Sequence, residues 1–412
     1  MIFFNLLSLI LIKLSSEDHV KYKFKKISNP TKTLMENILQ NDLEISMYIG
    51  TPPQKVNLNL RSKSYAFFIA GSEVKLNLTK FNETKSSSYK KLTEKPTKFL
   101  NLEYSRGYKI SESLLINNKI INDITLVLAS ELNYFESGAL GLKLVYNHEF
   151  TDELSFIYQL KKLANFDNYG FYLKYDNDES GEIIIGTYPH LIDKNFKETD
   201  FMYKSVEIEK GNYVEWIIHF DFFKYDNQII QNITLLNSFI TIEFGLISAP
   251  LSTKEFFKNN YLNKITCYQS FIDKYYFYKC DINSKIENFK NISFLLKDID
   301  YQFNLTYNDL FIKKGNDYLF TIVFNTDTNN TNWILGNVFL KKYQIIFDLD
   351  RKIIGIYIKN DNLKHFNVTL ILSIIFGLFC LFLIVYIFFY MKKPRRIRAN
   401  ELEDECYDYI PS

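Results

Sequence analysis

Net charge is almost absent from this sequence: 49 lysines and arginines against 47 aspartates and glutamates leave +2 over 412 residues. That balance removes any electrostatic case for nucleic acid or another strongly charged partner. Histidine is scarce as well. His19, His148, His190, His219 and His365 are scattered, with no H-E-x-x-H or Cys/His ligand spacing, so no metal site is expected. G-x-S-x-G and G-x-x-x-x-G-K-[ST] are both missing, which excludes a serine-hydrolase elbow and a phosphate loop; no cofactor is expected either. Of four cysteines, Cys380 falls in a long apolar run and Cys406 behind it, leaving Cys267 and Cys280 as the one expected disulfide. Closing so short a loop contributes roughly 3 kcal/mol in the chain-entropy view. Aromatics are plentiful, with 30 Tyr and 37 Phe. Asn, Lys and Ile are abundant too, so this is a compositional bias and not a binding signal.

What the chain does have is two apolar runs. Ile2 to Ile12 is followed by Ser15 and Ser16, the pattern of a signal peptide over residues 1–16 and too short to cross a bilayer. Val368 to Tyr390 is uncharged and long enough to span about 30 Å of hydrocarbon. Lys392, Lys393, Arg395, Arg396 and Arg398 follow at once, which places a tail of residues 391–412 in the cytosol by the positive-inside rule. The expectation is a single-pass type I protein of the secretory pathway or cell surface, anchored in the membrane by one helix over 368–390. Asn-x-Ser/Thr sequons begin at Asn77, Asn82, Asn232, Asn291, Asn304, Asn329 and Asn367, all on the expected lumenal side. Tyr407 to Ile410 fits a Y-x-x-Φ sorting signal, a short and frequent pattern.

Residues 17–42 are polar and locally basic, with Lys21, Lys23, Lys25 and Lys26, and read on their own as a solvated linker. From Leu43 onward, short strand-like runs alternate with turn residues, the signature of an all-β body. Met47 to Ile69 shows it best. Thr51-Pro52-Pro53 breaks any helix, and Val56, Leu58 and Leu60 then alternate with Lys55, Asn57 and Asn59, a half-buried strand.

That stretch resembles the start of a pepsin-like aspartic protease, where I-G-T-P-P-Q leads into the catalytic D-T-G-S. Further blocks follow in the family's order. Phe81 to Tyr89 resembles its F-x-P-x-x-S-S-T-Y loop, and Glu103 to Gly107 sits where the flap hairpin is expected, with Tyr104 as the flap tyrosine. Gly138-Ala-Leu-Gly-Leu142 is similar to G-I-L-G-L, and Phe156 to Leu160 to F-x-x-Q-L. Phe171 to Leu173 and Gly181 to Gly186 close the first lobe. Trp216-Ile-Ile218, Phe239 to Gly245 and Trp333-Ile-Leu-Gly-Asn-Val-Phe-Leu340 repeat the plan, ending in Tyr343, Phe347-Asp348 and Ile354-Gly355-Ile356. The resemblance covers residues 43–358. It implies a bilobal double-barrel fold, with one lobe over 43–195 and the other over 196–362. It also makes residues 17–42 either a propeptide or a linker.

In that family each lobe supplies one aspartate from a D-T-G loop, and the two carboxyls share a proton so that one activates water while the other acts as an acid. Here the first loop reads Arg61-Ser62-Lys63 and the second matches best at Glu243-Phe244-Gly245. Arginine has no acceptor and cannot take a proton from water. Glutamate is one methylene longer, and a displacement of about 1 Å in a catalytic group costs on the order of a hundredfold in rate. Gly141 and Gly336, which the family packs beside these loops, are kept. The expectation is a retained fold without catalysis, whose cleft binds an extended peptide or protein segment. An active membrane-bound aspartic endopeptidase and a structural surface glycoprotein are the alternatives. Arg61 and Glu243 either face each other as a buried ion pair or turn away to other partners.

Overall fold

The computed structural model describes residues 19–98, 105–132, 136–143, 154–164, 166, 168–206, 215–230 and 237–358, together with Leu383 and Tyr386. The expected leader and tail, and the expected span apart from those two residues, lie outside this set. Among the described residues no helix is long and apolar enough to cross a membrane. The described residues up to Ile358 form one compact unit.

Strands dominate that unit. A 14-stranded sheet collects the strands between Val20 and Ile185 and draws in Phe201–Ser205, Ile345–Asp348 and Ile353–Tyr357 from further along the chain, so it crosses the expected lobe boundary at residue 195. A 9-stranded sheet is built between Ile217 and Leu335, and a 4-stranded sheet lies off it. The helices are short. In Phe156–Ala164, Phe156, Ile157 and Leu160 are buried, and the amide of Gln159 brackets the backbone of Thr125, accepting at 2.6 Å and donating at 2.8 Å. This pairing explains the glutamine in that block. Trp216 and Trp333 are fully buried; Trp216 meets Phe347 edge-on at 5.0 Å and donates its ring N–H to the Leu142 carbonyl at 3.1 Å. Aromatic side chains bury the most area per residue, and an indole N–H removed from water needs an acceptor.

Residues 20–26 are not a solvated linker. Val20–Lys26 forms β1, paired antiparallel on one side with Ser180–Ile185 and on the other with Leu43–Ile49, which is β2. Val20 and Phe24 are buried, and Phe24 packs edge-on against Tyr175 at 5.3 Å. Lys21, Lys23 and Lys25 alternate with those apolar residues and take the other, exposed face, as the strand period requires.

Cys267 and Cys280 are joined by a disulfide. They stand directly opposite each other in the hairpin of Cys267–Ile272 and Tyr275–Asp281.

Candidate functional site

Two matching strand junctions set the site. Strand β3 (Gln54–Arg61) runs parallel to β5 (Gly138–Gly141), with Leu60 against Leu140 and Arg61 against Gly141; β4 (Phe68–Ala70) lies antiparallel on β5, with Phe68 against Ala139. The second junction repeats this. Strand β6 (Asn237–Ile240) runs parallel to β8 (Trp333–Leu335), with Ile240 against Leu335, and β7 (Ile247–Pro250) lies antiparallel, with Ser248 against Ile334. One step beyond Ile240, Thr241 falls level with Gly336 as Arg61 does with Gly141, and its N–H bonds to the Leu335 carbonyl at 3.2 Å. Both glycines are forced: an added Cβ would lie 2.3 Å from the Tyr65 carbonyl carbon at Gly141 and 2.2 Å from the Phe244 oxygen at Gly336.

The register therefore equates Arg61 with Thr241, Ser62 with Ile242 and Lys63 with Glu243. The sequence match had placed Glu243 opposite Arg61, two residues out, because Glu243-Phe244-Gly245 keeps a carboxylate and a glycine. Strand register is the stricter guide, since it is fixed by the backbone pairing of Ile240 with Leu335 and of the Thr241 N–H with the Leu335 carbonyl, not by side-chain likeness.

Arg61 and Glu243 do not form the expected ion pair. Val56, Leu58 and Leu60 bury one face of β3, so alternation puts Arg61 on the face of Asn57 and Asn59. There its guanidinium donates to Asp42 Oδ1 at 2.9 Å and pairs with Glu136. Glu243 instead sits on the first loop. Its Oε2 accepts the hydroxyls of Ser62 and Thr241, and its Oε1 accepts the Lys63 backbone N–H at 2.9 Å. Ser62 Oγ in turn accepts the Ile242 N–H at 3.3 Å. Ser62 and Thr241 are buried, and the Lys63 residue is exposed. Ser62 thus holds the bracing position that the family gives to threonine.

A third segment closes the arrangement. Helix α1 (Leu34–Leu39) starts at a capping box, in which the Thr33 hydroxyl accepts the Glu36 N–H and Glu36 accepts the Thr33 N–H. It buries Met35 and Leu39 against Leu246, Tyr275, Phe277, Leu319 and Val323. Asn41 then donates its backbone N–H to the Glu243 carbonyl at 2.9 Å and its side-chain amide to the Ile242 carbonyl at 2.7 Å. Gly245 donates to the Leu39 carbonyl at 2.8 Å, and a Cβ there would lie 1.9 Å from the Ile38 oxygen. Asp42, the next residue after Asn41, reaches Arg61. The segment is hydrogen-bonded to one loop and ion-paired to the other.

Sequence reasoning missed Asn41, Asp42, Glu136 and Thr241. The signal for Asp42 and Glu136 was the alternation of β3, which already set Arg61 on a polar face. Tyr104 lies outside the described residues; the strands that flank it, Thr97–Lys98 and Arg106–Ile116, pair antiparallel with Thr97 against Gly107. Asn232 and Asn367 also lie outside. Asn77, Asn291 and Asn329 are exposed and Asn82 is half-buried, whereas Asn304, also half-buried, is engaged within its sheet, accepting from Ser293 on the neighbouring strand and from Gln302, each at 2.6 Å. Among the described residues no group of His, Cys, Asp and Glu is arranged to hold a metal ion.

No curated protein matches the chain. Residues 44–357 match the family described as eukaryotic aspartyl protease, the span over which the two strand junctions and their glycines are laid out. The chain belongs to the eukaryotic aspartyl protease family.

Proposed function

We propose that this protein is a non-catalytic member of its family whose ectodomain binds an extended peptide or protein segment. One observation carries the reading: the two register-equivalent loop positions hold Arg61 and Thr241, neither of which is a carboxylic acid. Proton sharing between two acids needs both. Arg61 is committed to Asp42 and Glu136, and it has no acceptor for a proton from water. Glu243 is the one carboxylate on these loops, and its two oxygens already accept hydrogen bonds from Ser62, Thr241 and Lys63. A retained fold with a rebuilt floor supports binding over turnover. In this reading the protein stands in a secretory-pathway or cell-surface membrane on the 368–390 span, with residues 17–362 lumenal or extracellular.

The test is peptide cleavage at acidic pH by the purified full-length chain, with and without a transition-state-analogue inhibitor of aspartic proteases. No inhibitor-sensitive turnover is expected. Inhibitor-sensitive cleavage would establish the rival reading, an active endopeptidase in which Glu243 takes part. A peptide array on the same preparation should return extended segments; an array with no binder would leave a structural glycoprotein.

A further inference from the structure

A groove of about 670 Å³ opens beside Arg61, walled by Asn57 and Asn59 of β3, by Glu136 and Ser137, and by the turn through Asn29. Its size is that of a small-molecule site. Its carboxylates are paired internally, Asp42 and Glu136 with Arg61 and Glu44 with Lys25 at 3.4 Å, and Lys32, the remaining charge on the wall, donates to the Gln40 side-chain oxygen. A charged ligand would have to break those pairs, so the groove suits a neutral, polar one. Donors stand ready for it. Asn59 is half-buried and its amide makes no hydrogen bond among the described residues. Asn57 uses only its oxygen, accepting from Ser46 at 3.0 Å, which leaves its NH2 free. Each NH2 can donate twice, and neither has a protein acceptor among the described residues. Ile27, Pro30 and Leu78 add small apolar surfaces to the same walls. Neutral hydroxyls, an amide and a methyl group are together what an N-acetylhexosamine presents.

The chain carries its own attachment point for such a sugar on the rim. Asn77 lines the groove, begins the sequon Asn77-Leu78-Thr79, and is exposed on a bend. We propose that Asn77 is N-glycosylated and that the proximal N-acetylglucosamine units of its glycan lie in this groove, accepting hydrogen bonds from Asn57 and Asn59. In the attachment step the Asn77 amide nitrogen displaces a lipid-linked diphosphate from the anomeric carbon. A C–N bond forms, the C–O bond breaks with its electron pair going to the diphosphate, and one amide proton is lost. The covalent ligand would then cover the Arg61 flank of the site permanently. This inference rests on the lumenal placement of the ectodomain proposed above.

The experiment uses the full-length chain from a eukaryotic secretory host. Glycopeptide mass spectrometry reads occupancy at each sequon, and a peptide N-glycosidase time course is run on native and denatured protein. In the native protein the Asn77 glycan should be released at least about tenfold more slowly than the one on exposed Asn329, the worth of one or two net hydrogen bonds. The difference should vanish on denaturation. Asn59→Ala, which removes no intramolecular hydrogen bond, should restore fast release, and Asn57→Ala gives a second, independent variant. Asn77 unoccupied while Asn291 or Asn329 is glycosylated would overturn the inference and leave the lumenal placement standing. No occupied sequon at all would overturn both. Equal native release at Asn77 and Asn329 would show that the groove is not the glycan's seat.

Discussion

Ile242 donates its backbone N–H to the hydroxyl of Ser62 at 3.3 Å, across 180 residues of chain. The bond ties the two loops together, and Glu243 reinforces it by gathering Ser62, Thr241 and the Lys63 N–H on one carboxylate. In the reading proposed above, this hydrogen-bonded joint stands where the family's plan has a pair of reacting acids. Ser62→Ala should therefore destabilise the protein by about 1–3 kcal/mol, because it leaves a buried N–H without its acceptor. Ser62→Thr, which keeps the hydroxyl, should cost much less. Urea unfolding of the two variants against the parent compares them; equal losses would mean that the hydroxyl is not the reason.

Arg61 supplies the second prediction. Its side chain and those of Asp42 and Glu136 are between 16% and 25% exposed, so solvent screens them only in part. Arg61→Ala leaves two neighbouring carboxylates without a cation and should cost about 3 kcal/mol. Arg61→Asp should cost more, since it adds a third negative charge. Chemical denaturation measures both, and a neutral Arg61→Ala would place the guanidinium in solvent.

Gly245→Ala should act at a distance from its own loop. Its Cβ would collide with the Ile38 carbonyl, so the segment from Leu34 to Asp42 must lift. Limited proteolysis should then cut the variant between residues 30 and 42, while the parent resists there. The loss of stability should exceed about 2 kcal/mol, the range for a forced backbone displacement.

His190 gives a pH dependence. Burial, followed by the Arg351 charge, lowers its pKa below the ordinary imidazole value, with Glu198 opposing; its Nδ1 meets the Tyr357 hydroxyl. The folded state thus binds a proton less readily than the unfolded chain. Stability present above pH ~6.5 is lost as the pH falls through the lowered value. The melting temperature of the parent should drop on acidification from neutral pH by more than that of His190→Gln. Parallel pH profiles would show that this histidine is not responsible.

Cys267→Ser and Cys280→Ser should each cost about 2–3 kcal/mol, as should full reduction of the parent, because the bond closes a 13-residue separation in the unfolded chain. Thermal melts with and without reductant check it. A cysteine variant that still responds to reductant would point to a different cross-link.

Much of the frame could be read from spacing alone. Gly141, Trp216, Gly336 and the Val56-Leu58-Leu60 alternation are tied to backbone approaches and buried faces that leave few other residues acceptable. The loops were harder. Their side chains answer to partners distant in sequence, so the carboxylate of Glu243 drew the match two residues from Thr241, the level set by Ile240 on Leu335. The alternation of β3 set Arg61 on a polar face without singling out Asp42 as its partner, because 19 residues and a turn separate them. Strand β1 was legible and overlooked: Val20, Tyr22 and Phe24 alternate with lysines, but the high lysine content masked a period of two.

The position of β1 has a consequence for how the protein could be matured. It fills a slot between two other strands, bonded along Ser180–Ile185 and to β2. Cutting it out would open the middle of a continuous sheet and leave two raw borders of unpaired amides and carbonyls facing each other. Such borders recruit whatever strand is nearest. A version clipped after residue 26 would be a sticky molecule, prone to fibre or to capture of a foreign strand, whereas the uncut chain carries its own plug.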